Sequence, residues 1–231
     1  MFENRFGRLQ PRRPRCAGIE QHLHQCRYRR ARYLLLQTGF PLYDRRDAGT
    51  GMSDDLRRFV EAGPPPVVFT LGSSAVFDAG SFYAESAKAA EMAGQRAVLL
   101  TGPESANRPP RDLPASIFSA EYAPYSELFP LAAATVHQGG VGTTAQALRA
   151  GKPMIVVPFS HDQPDNASRV ARLGVGRVVD RKRYRAELVA GALRTVLSSG
   201  SYRIAAAEVA REIAGEDGVA AACDGIQAVN Q

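Results

Sequence analysis

Residues 137–144, His-Gln-Gly-Gly-Val-Gly-Thr-Thr, place one imidazole, three glycines and two hydroxyls within eight positions. Glycine lets backbone approach a ligand closely. A helix opening near Gly142 or Thr143 would aim unpaired N–H groups and the positive end of its dipole at that turn. The combination suits an anion such as phosphate. Gly140 and Gly142 would supply amides, Thr143 and Thr144 hydroxyl donors. His137 would supply a ring N–H and, when protonated, a positive charge. The turn carries no lysine, so it is not the GxxxxGK[ST] phosphate loop. Simple turn chemistry is the competing account of the glycines and threonines. For His137 the competing account is a strand-end histidine satisfied by its own chain.

Three further clusters carry polar chemistry. Ser73 and Ser74 follow the apolar run "VVFTLG" and are placed to bond phosphate oxygens or substrate; GxSxG is absent, so this is no nucleophile elbow. In "FSHDQPDNA", residues 159–167, Asp162 accepts hydrogen bonds and Gln163 both donates and accepts, a pair suited to sugar hydroxyls. Helix capping is the alternative for Asp162, and Asp165 is expected to fill that role. In "EYAPYSEL", residues 121–128, Tyr122 offers an aromatic face to a flat base and the Ala123 backbone could meet the base edge. Packing of Tyr122 at the rim is the alternative.

Positioning these groups requires elements, and the sequence alternates them. "MSDDLRRFVEAG" reads as a short helix with Ser53 as N-cap, halted by Pro64, Pro65 and Pro66. Strands are expected at 67–73, 97–102, 117–122, 134–138, 154–159 and 176–180, with helices between them and two or three helices at the end. Short β-rich runs separated by helices of about ten residues predict a parallel sheet covered on both faces. The fold class is therefore α/β, a single Rossmann-like doubly wound parallel sheet. Ligands of such sheets sit beyond the carboxyl ends of the strands, and all four polar clusters fall there.

The chain has 231 residues, 45% of them hydrophobic, enough for a sizeable core. No apolar run is long enough to span a bilayer, and no secretory signal is evident. Cys16, Cys26 and Cys223 form neither a disulfide framework nor a zinc spacing, so a reducing, cytoplasmic setting is expected. The net charge of +6 is unevenly placed. Residues 1–37 hold nine arginines against Glu3 and Glu20, a net +7; the remaining 20 basic and 21 acidic side chains leave −1. A near-neutral body argues against nucleic acid as partner. The arginine-rich segment reads as a disordered tail, a basic arm for nucleic acid or an anionic membrane surface, or out-of-frame coding sequence. The expected organisation is a tail at 1–37, a linker with a short helix at 38–66, and a Rossmann-like domain at 67–231.

"YAP" (122–124), "HQGGVGTTAQALRAGKPMIVVP" (137–158) and "DQPDNA" (162–167) together resemble the donor-binding signature of family 1 glycosyltransferases, especially bacterial members related to sterol and macrolide glucosyltransferases. "GPPPVVFTLGSS" (63–74) resembles the entry to the second domain of those GT-B proteins. The resemblance covers about residues 38–231. It implies a hexosyltransferase acting with inversion on a UDP- or dTDP-sugar, without cofactor or metal. His137, Gly140, Gly142, Thr143, Thr144 and Ser74 would hold the diphosphate, and Asp162 and Gln163 the sugar. Tyr122 and Ala123 would meet the base. Gln146 stands where plant members use a ribose-binding Glu. The family's acceptor domain, which supplies the general base, has no counterpart in the arginine-rich segment; His22 and His24 match no motif there. The implied partners are a nucleotide sugar, a lipophilic or glycosidic small-molecule acceptor, and an acceptor-domain polypeptide. Two expectations follow: a donor half inactive alone, or a non-catalytic nucleotide-sugar-binding subunit served by a separate acceptor-domain chain.

Overall fold

A computed structural model describes residues 24–28, 31–42, 51–109 and 113–229. They fall into two compact units, Met1–Leu42 with Glu216–Gln231, and Tyr43–Gly215.

In the first unit, β1 (His24–Tyr28) pairs antiparallel with β2 (Ala31–Leu35). The sequence showed no period there; much of the expected 1–37 tail, His22 included, lies outside the described residues. The C-terminal helix, Gly218–Val229, starts where a side chain on Gly218 would collide with the backbone of Phe40.

The second unit is built on six parallel strands: β3 (Val67–Thr70), β4 (Ala97–Leu100), β5 (Ile117–Ala120), β6 (Ala134–His137), β7 (Met154–Val156) and β8 (Gly176–Val178). Their order across the sheet is β5-β4-β3-β6-β7-β8. This is the doubly wound Rossmann arrangement, in which the chain reverses direction across the sheet between β3 and β6 and leaves a crevice there. The strands β3, β4, β6 and β7 are buried at every position, which explains their unbroken apolar reading. β3 ends at Thr70 rather than running to residue 73: Gly72 turns at φ +64° into a one-turn helix, α2 (Gly72–Ala75).

Ahead of the sheet, α1 (Asp54–Glu61) begins as expected, with the Ser53 hydroxyl accepting from the Leu56 N–H at 3.3 Å. Arg96 then lies over the Phe59 ring and donates to carbonyls of Phe59, Val60 and Pro64, fixing the helix end beside the sheet.

On one face of the sheet, α3 (Phe82–Met92) packs against α7 (Ala186–Ser198) over Phe69, Leu99, Val136 and Ile155. Their contact is stitched by polar groups: Ser86 and Tyr184 hydroxyls lie 2.7 Å apart, and Glu85 accepts from the Ala186 N–H at the start of α7. α5 (Val141–Arg149) packs with α8 (Gly200–Ile213), and Gly151 after α5 meets Ala210. α4 (Tyr125–Leu128) follows β5, and α6 (Gln163–Arg172) follows β7. No helix among the described residues is long and apolar enough to cross a membrane.

Candidate functional site

The crevice between β3 and β6 is closed at its floor by Thr70 and His137, paired across the two strands. Above Thr70 the chain passes through Gly72 to Ser73 and Ser74, both exposed on α2. Above His137 it passes through Gln138, Gly139 and Gly140 into α5. Helix α5 begins at Val141, a little earlier than expected, with Gly140 as its N-cap. A glycine N-cap has no side-chain oxygen for the first-turn N–H groups, and none is capped by a side chain here. The donors of Val141, Gly142 and Thr143 therefore face the crevice mouth without intrahelical partners.

His137 is fully buried. Its Nδ1 accepts from the Gly139 N–H at 3.1 Å, so the ring proton sits on Nε2. Burial pushes its pKa down to about 3. Taking an imidazolium out of water is costly, so the buried ring is neutral in this structure and of the two expected contributions, ring N–H and charge, it offers the N–H. Its chain satisfies one nitrogen; Nε2 has no partner among the described residues. The Thr144 hydroxyl, buried on α5, is in the same condition. Thr143 accepts a long bond, 3.4 Å, from the amide of Gln138, which leaves its own hydroxyl proton available. Gln138 in turn fills the space where Gly72 would carry a side chain, so the β3 and β6 turns abut through it. Gln146 is buried on α5.

The loop after β7 builds the neighbouring wall. Gln163 turns its Oε1 back to accept from the N–H groups of Phe159 and Ser160, at 2.8 and 3.1 Å. Its Nε2 makes no hydrogen bond among the described residues. Asp162 is exposed and occupies the N-cap position of α6, yet its carboxylate caps no N–H. It accepts instead from Asn166 Nδ2 at 2.7 Å. The same nitrogen donates to the Gly139 carbonyl at 2.8 Å. Asp165 does not cap the helix as expected. With Pro164 setting the first turn, Asp165 lies inside α6 and pairs with Arg169 one turn on, at 2.7 Å. His161 has a left-handed backbone, φ 58°, and its Nδ1 lies 2.7 Å from the Ser160 hydroxyl. Arg181, after β8, lies 4.1 Å over the Phe159 ring and pairs with Asp78 at 2.8 Å.

On the far side of β3, Tyr122 is exposed just beyond β5, while the next residue, Ala123, is buried. Tyr125 is 2.8 Å from the Thr70 hydroxyl and stacks on Phe129.

The expected residues thus collect along one carboxyl edge of the sheet. His137, Thr143 and Thr144 lie at the β6–α5 junction, Asp162 and Gln163 flank it at the start of α6 after β7, and Ser74 and Tyr122 stand beyond β3 and β5. Asn166, Gln138, His161 and Arg181 were not singled out. Asn166 was findable, being four residues from Asp162 on a helix and therefore on the same face. The Arg181–Asp78 pair spans about a hundred residues and leaves no local signal. Among the described residues, no three His, Cys, Asp or Glu side chains group as metal ligands would.

Residues 87–223 match the family model "Erythromycin biosynthesis protein CIII-like, C-terminal domain". The chain is similar to O-mycaminosyltylonolide 6-deoxyallosyltransferase of Streptomyces fradiae, 37% identical over 188 residues, which are 80% of this chain and 43% of that protein. It therefore spans less than half the length of this relative. Among solved structures, the glycotransferase of kitacinnamycin shares its fold, with a TM-score of 0.67 and 24% identity, covering 82% of this chain and 49% of that one. The spinosyn rhamnosyltransferase complexed with thymidine diphosphate is similar at 26% identity and a TM-score of 0.60, over 71% of this chain and 45% of that one.

Proposed function

The chain belongs to the family of erythromycin biosynthesis protein CIII-like C-terminal domains, and from that premise we propose that it is the nucleotide-sugar-binding half of an inverting hexosyltransferase. The observation that carries the reading is a set of donors with no protein acceptor: His137 Nε2–H and the Thr144 hydroxyl, both buried, beside the uncapped start of α5. Such groups are costly to bury unless something meets them. A diphosphate bearing several acceptor oxygens meets all of them together.

In this reading the diphosphate rests on His137, Thr143, Thr144 and the amides of Gly140 and Gly142, with Ser74 reaching from α2. Asp162 accepts from sugar hydroxyls, and the Gln163 amide nitrogen donates to them. The exposed ring of Tyr122 stacks on the base, the Ala123 backbone pairs with its edge, and Gln146 serves the ribose. An acceptor hydroxyl oxygen attacks the anomeric carbon from the face opposite the diphosphate. The new C–O bond forms as the sugar–phosphate bond breaks, and configuration inverts. Negative charge then grows on the departing diphosphate, where fixed N–H and O–H donors stabilise it most strongly. These donors take the place a metal ion would otherwise fill. The hydroxyl proton goes to a general base that we assign, with the acceptor pocket, to an acceptor domain on the same or a separate polypeptide. Because a similar structure was solved with thymidine diphosphate, that nucleotide is the first choice over uridine diphosphate.

The test is calorimetric titration of the chain with thymidine and uridine diphosphates and their glucose conjugates, alongside thermal melting. A ligand at a hundred times its Kd raises stability by about 2.7 kcal/mol. His137→Ala should weaken binding by roughly 1–3 kcal/mol, through loss of a bond to a charged group. No melting shift at millimolar ligand would refute the assignment.

A further inference from the structure

We infer that Asn166 is a positioning residue that ties the diphosphate turn to the sugar-binding carboxylate, so that the two halves of the donor are recognised as a unit; this rests on the site reading above. Asn166 is buried, and both of its amide hydrogens are committed. One goes to the Gly139 carbonyl at 2.8 Å, the other to an Asp162 carboxylate oxygen at 2.7 Å. An asparagine amide has only these two donors.

Each bond has a separate consequence. The peptide linking Gly139 to Gly140 is planar and trans, so its carbonyl and its N–H point in opposite directions. Holding the Gly139 carbonyl on α6 turns the Gly140 N–H away from α6, toward the mouth of the turn. Gly139 needs that support. At φ +88° it is packed so closely that a side chain there would meet Val156 and the backbone of Gln163. The second bond draws the Asp162 carboxylate off the helix start, where it would otherwise cap α6, and orients its remaining lone pairs. The charge-assisted bond to the carboxylate is the stronger of the two. A hydrogen-bonded path thus runs from the His137 ring through Gly139 and Asn166 to Asp162. Displacing either end disturbs the other.

The experiment is a double-mutant cycle on the whole chain, using thymidine diphosphate and thymidine-diphosphate-glucose as probes. The readout is the ratio of their dissociation constants, which reports sugar recognition apart from nucleotide binding. Asn166→Asp keeps the shape but replaces both donors with acceptors facing two acceptors. It should weaken the sugar conjugate roughly ten- to hundredfold and the bare diphosphate less. Asn166→Ala supplies the same comparison should the aspartate variant fail to fold, with melting temperature as the check. In an Asp162→Ala background, either substitution should leave the ratio unchanged. Coupling is overturned if Asn166 variants keep the wild-type ratio, or if the Asn166 and Asp162 effects simply multiply. A wild-type chain that binds neither probe overturns the reading of the site itself, which is a distinguishable failure.

Discussion

Thr70 and His137 stand directly opposite each other at the last paired position of β3 and β6, the two strands between which the chain order reverses. Everything polar at the site is arranged around this pair. Thr70 bonds Tyr125, which anchors the segment after Tyr122, and His137 holds the glycine turn through Gly139. One register position in the sheet therefore joins the Tyr122–Tyr125 segment on one side of the crevice to the glycine turn on the other.

The buried imidazole makes stability depend on pH in a defined direction. Folded His137 stays neutral down to about pH 3, while in the unfolded chain it takes a proton near its ordinary value of 6.5. Between those values the unfolded state binds more protons, so stability is full above about 6.5 and is lost as pH falls. The expected loss from this residue between pH 7 and pH 5 is about 2 kcal/mol. Urea unfolding of wild type and His137→Gln at both values checks it: the variant should lack that share of the acid sensitivity. Parallel pH dependence in the two proteins would exclude His137 as its source.

Thr144 separates ligand binding from folding. Its hydroxyl is buried without a partner among the described residues, and valine has nearly the same shape. Removing an unsatisfied polar group is neutral or stabilising. Thr144→Val should therefore leave the melting temperature unchanged or raise it, while weakening diphosphate binding by roughly tenfold. Thr144→Ser should keep the affinity. Calorimetry and thermal melting on the two variants decide it; a valine variant that binds normally would remove Thr144 from the site.

Much of this was legible in the sequence. Central parallel strands are buried on both faces, so "VVFT", "AVLL" and "MIV" read as unbroken apolar runs. Ser53 before two aspartates marked the start of α1. The candidate residues fall together because strand ends in such a sheet share one edge. What could not be read was environment. The sequence shows an imidazole by a glycine turn but not that the ring is sealed from water, which decides its charge. It shows Asp165 near a helix start but not that the helix opens at Gln163, which moves Asp165 into the second half of the first turn and toward Arg169. It shows an apolar run to residue 71 but not the left-handed turn at Gly72 that ends β3.

That turn geometry predicts a strict need for glycine at position 139. Its φ of +88° is unfavourable for any side chain, and a Cβ would lie 2.5 Å from Val156 Cγ1. Backbone strain and forced repacking each cost about 1–3 kcal/mol. Gly139→Ala should lower stability by roughly 2–6 kcal/mol by urea unfolding. Gly94, also left-handed but with open space around it, is the control: Gly94→Ala should lose only the backbone share. Equal losses at the two positions would show that the crowding around Gly139 is relieved at little cost.

Arg181 tests whether the loop after β7 is held from outside the site. Its guanidinium covers Phe159, whose N–H is bound by Gln163, and pairs with Asp78 on the segment after β3. The pair is largely exposed, so its contribution to stability is small, and the ring contact adds about 0.5–1 kcal/mol. Arg181→Met keeps an apolar stem but loses both the charge and the planar stack, and should lower the melting temperature by only about 2–4 °C. Its larger effect should fall on ligand discrimination. With Phe159 released, Gln163 loses the fixed loop that aims its amide nitrogen, so the nucleotide sugar should bind several-fold more weakly while the bare nucleotide is unaffected. High salt should imitate only the ion-pair share of this effect, since screening leaves the stacked ring contact largely in place. Equal weakening of both ligands would mean that Arg181 supports the turn at His137 as well, and the separation between the two walls of the crevice would not hold.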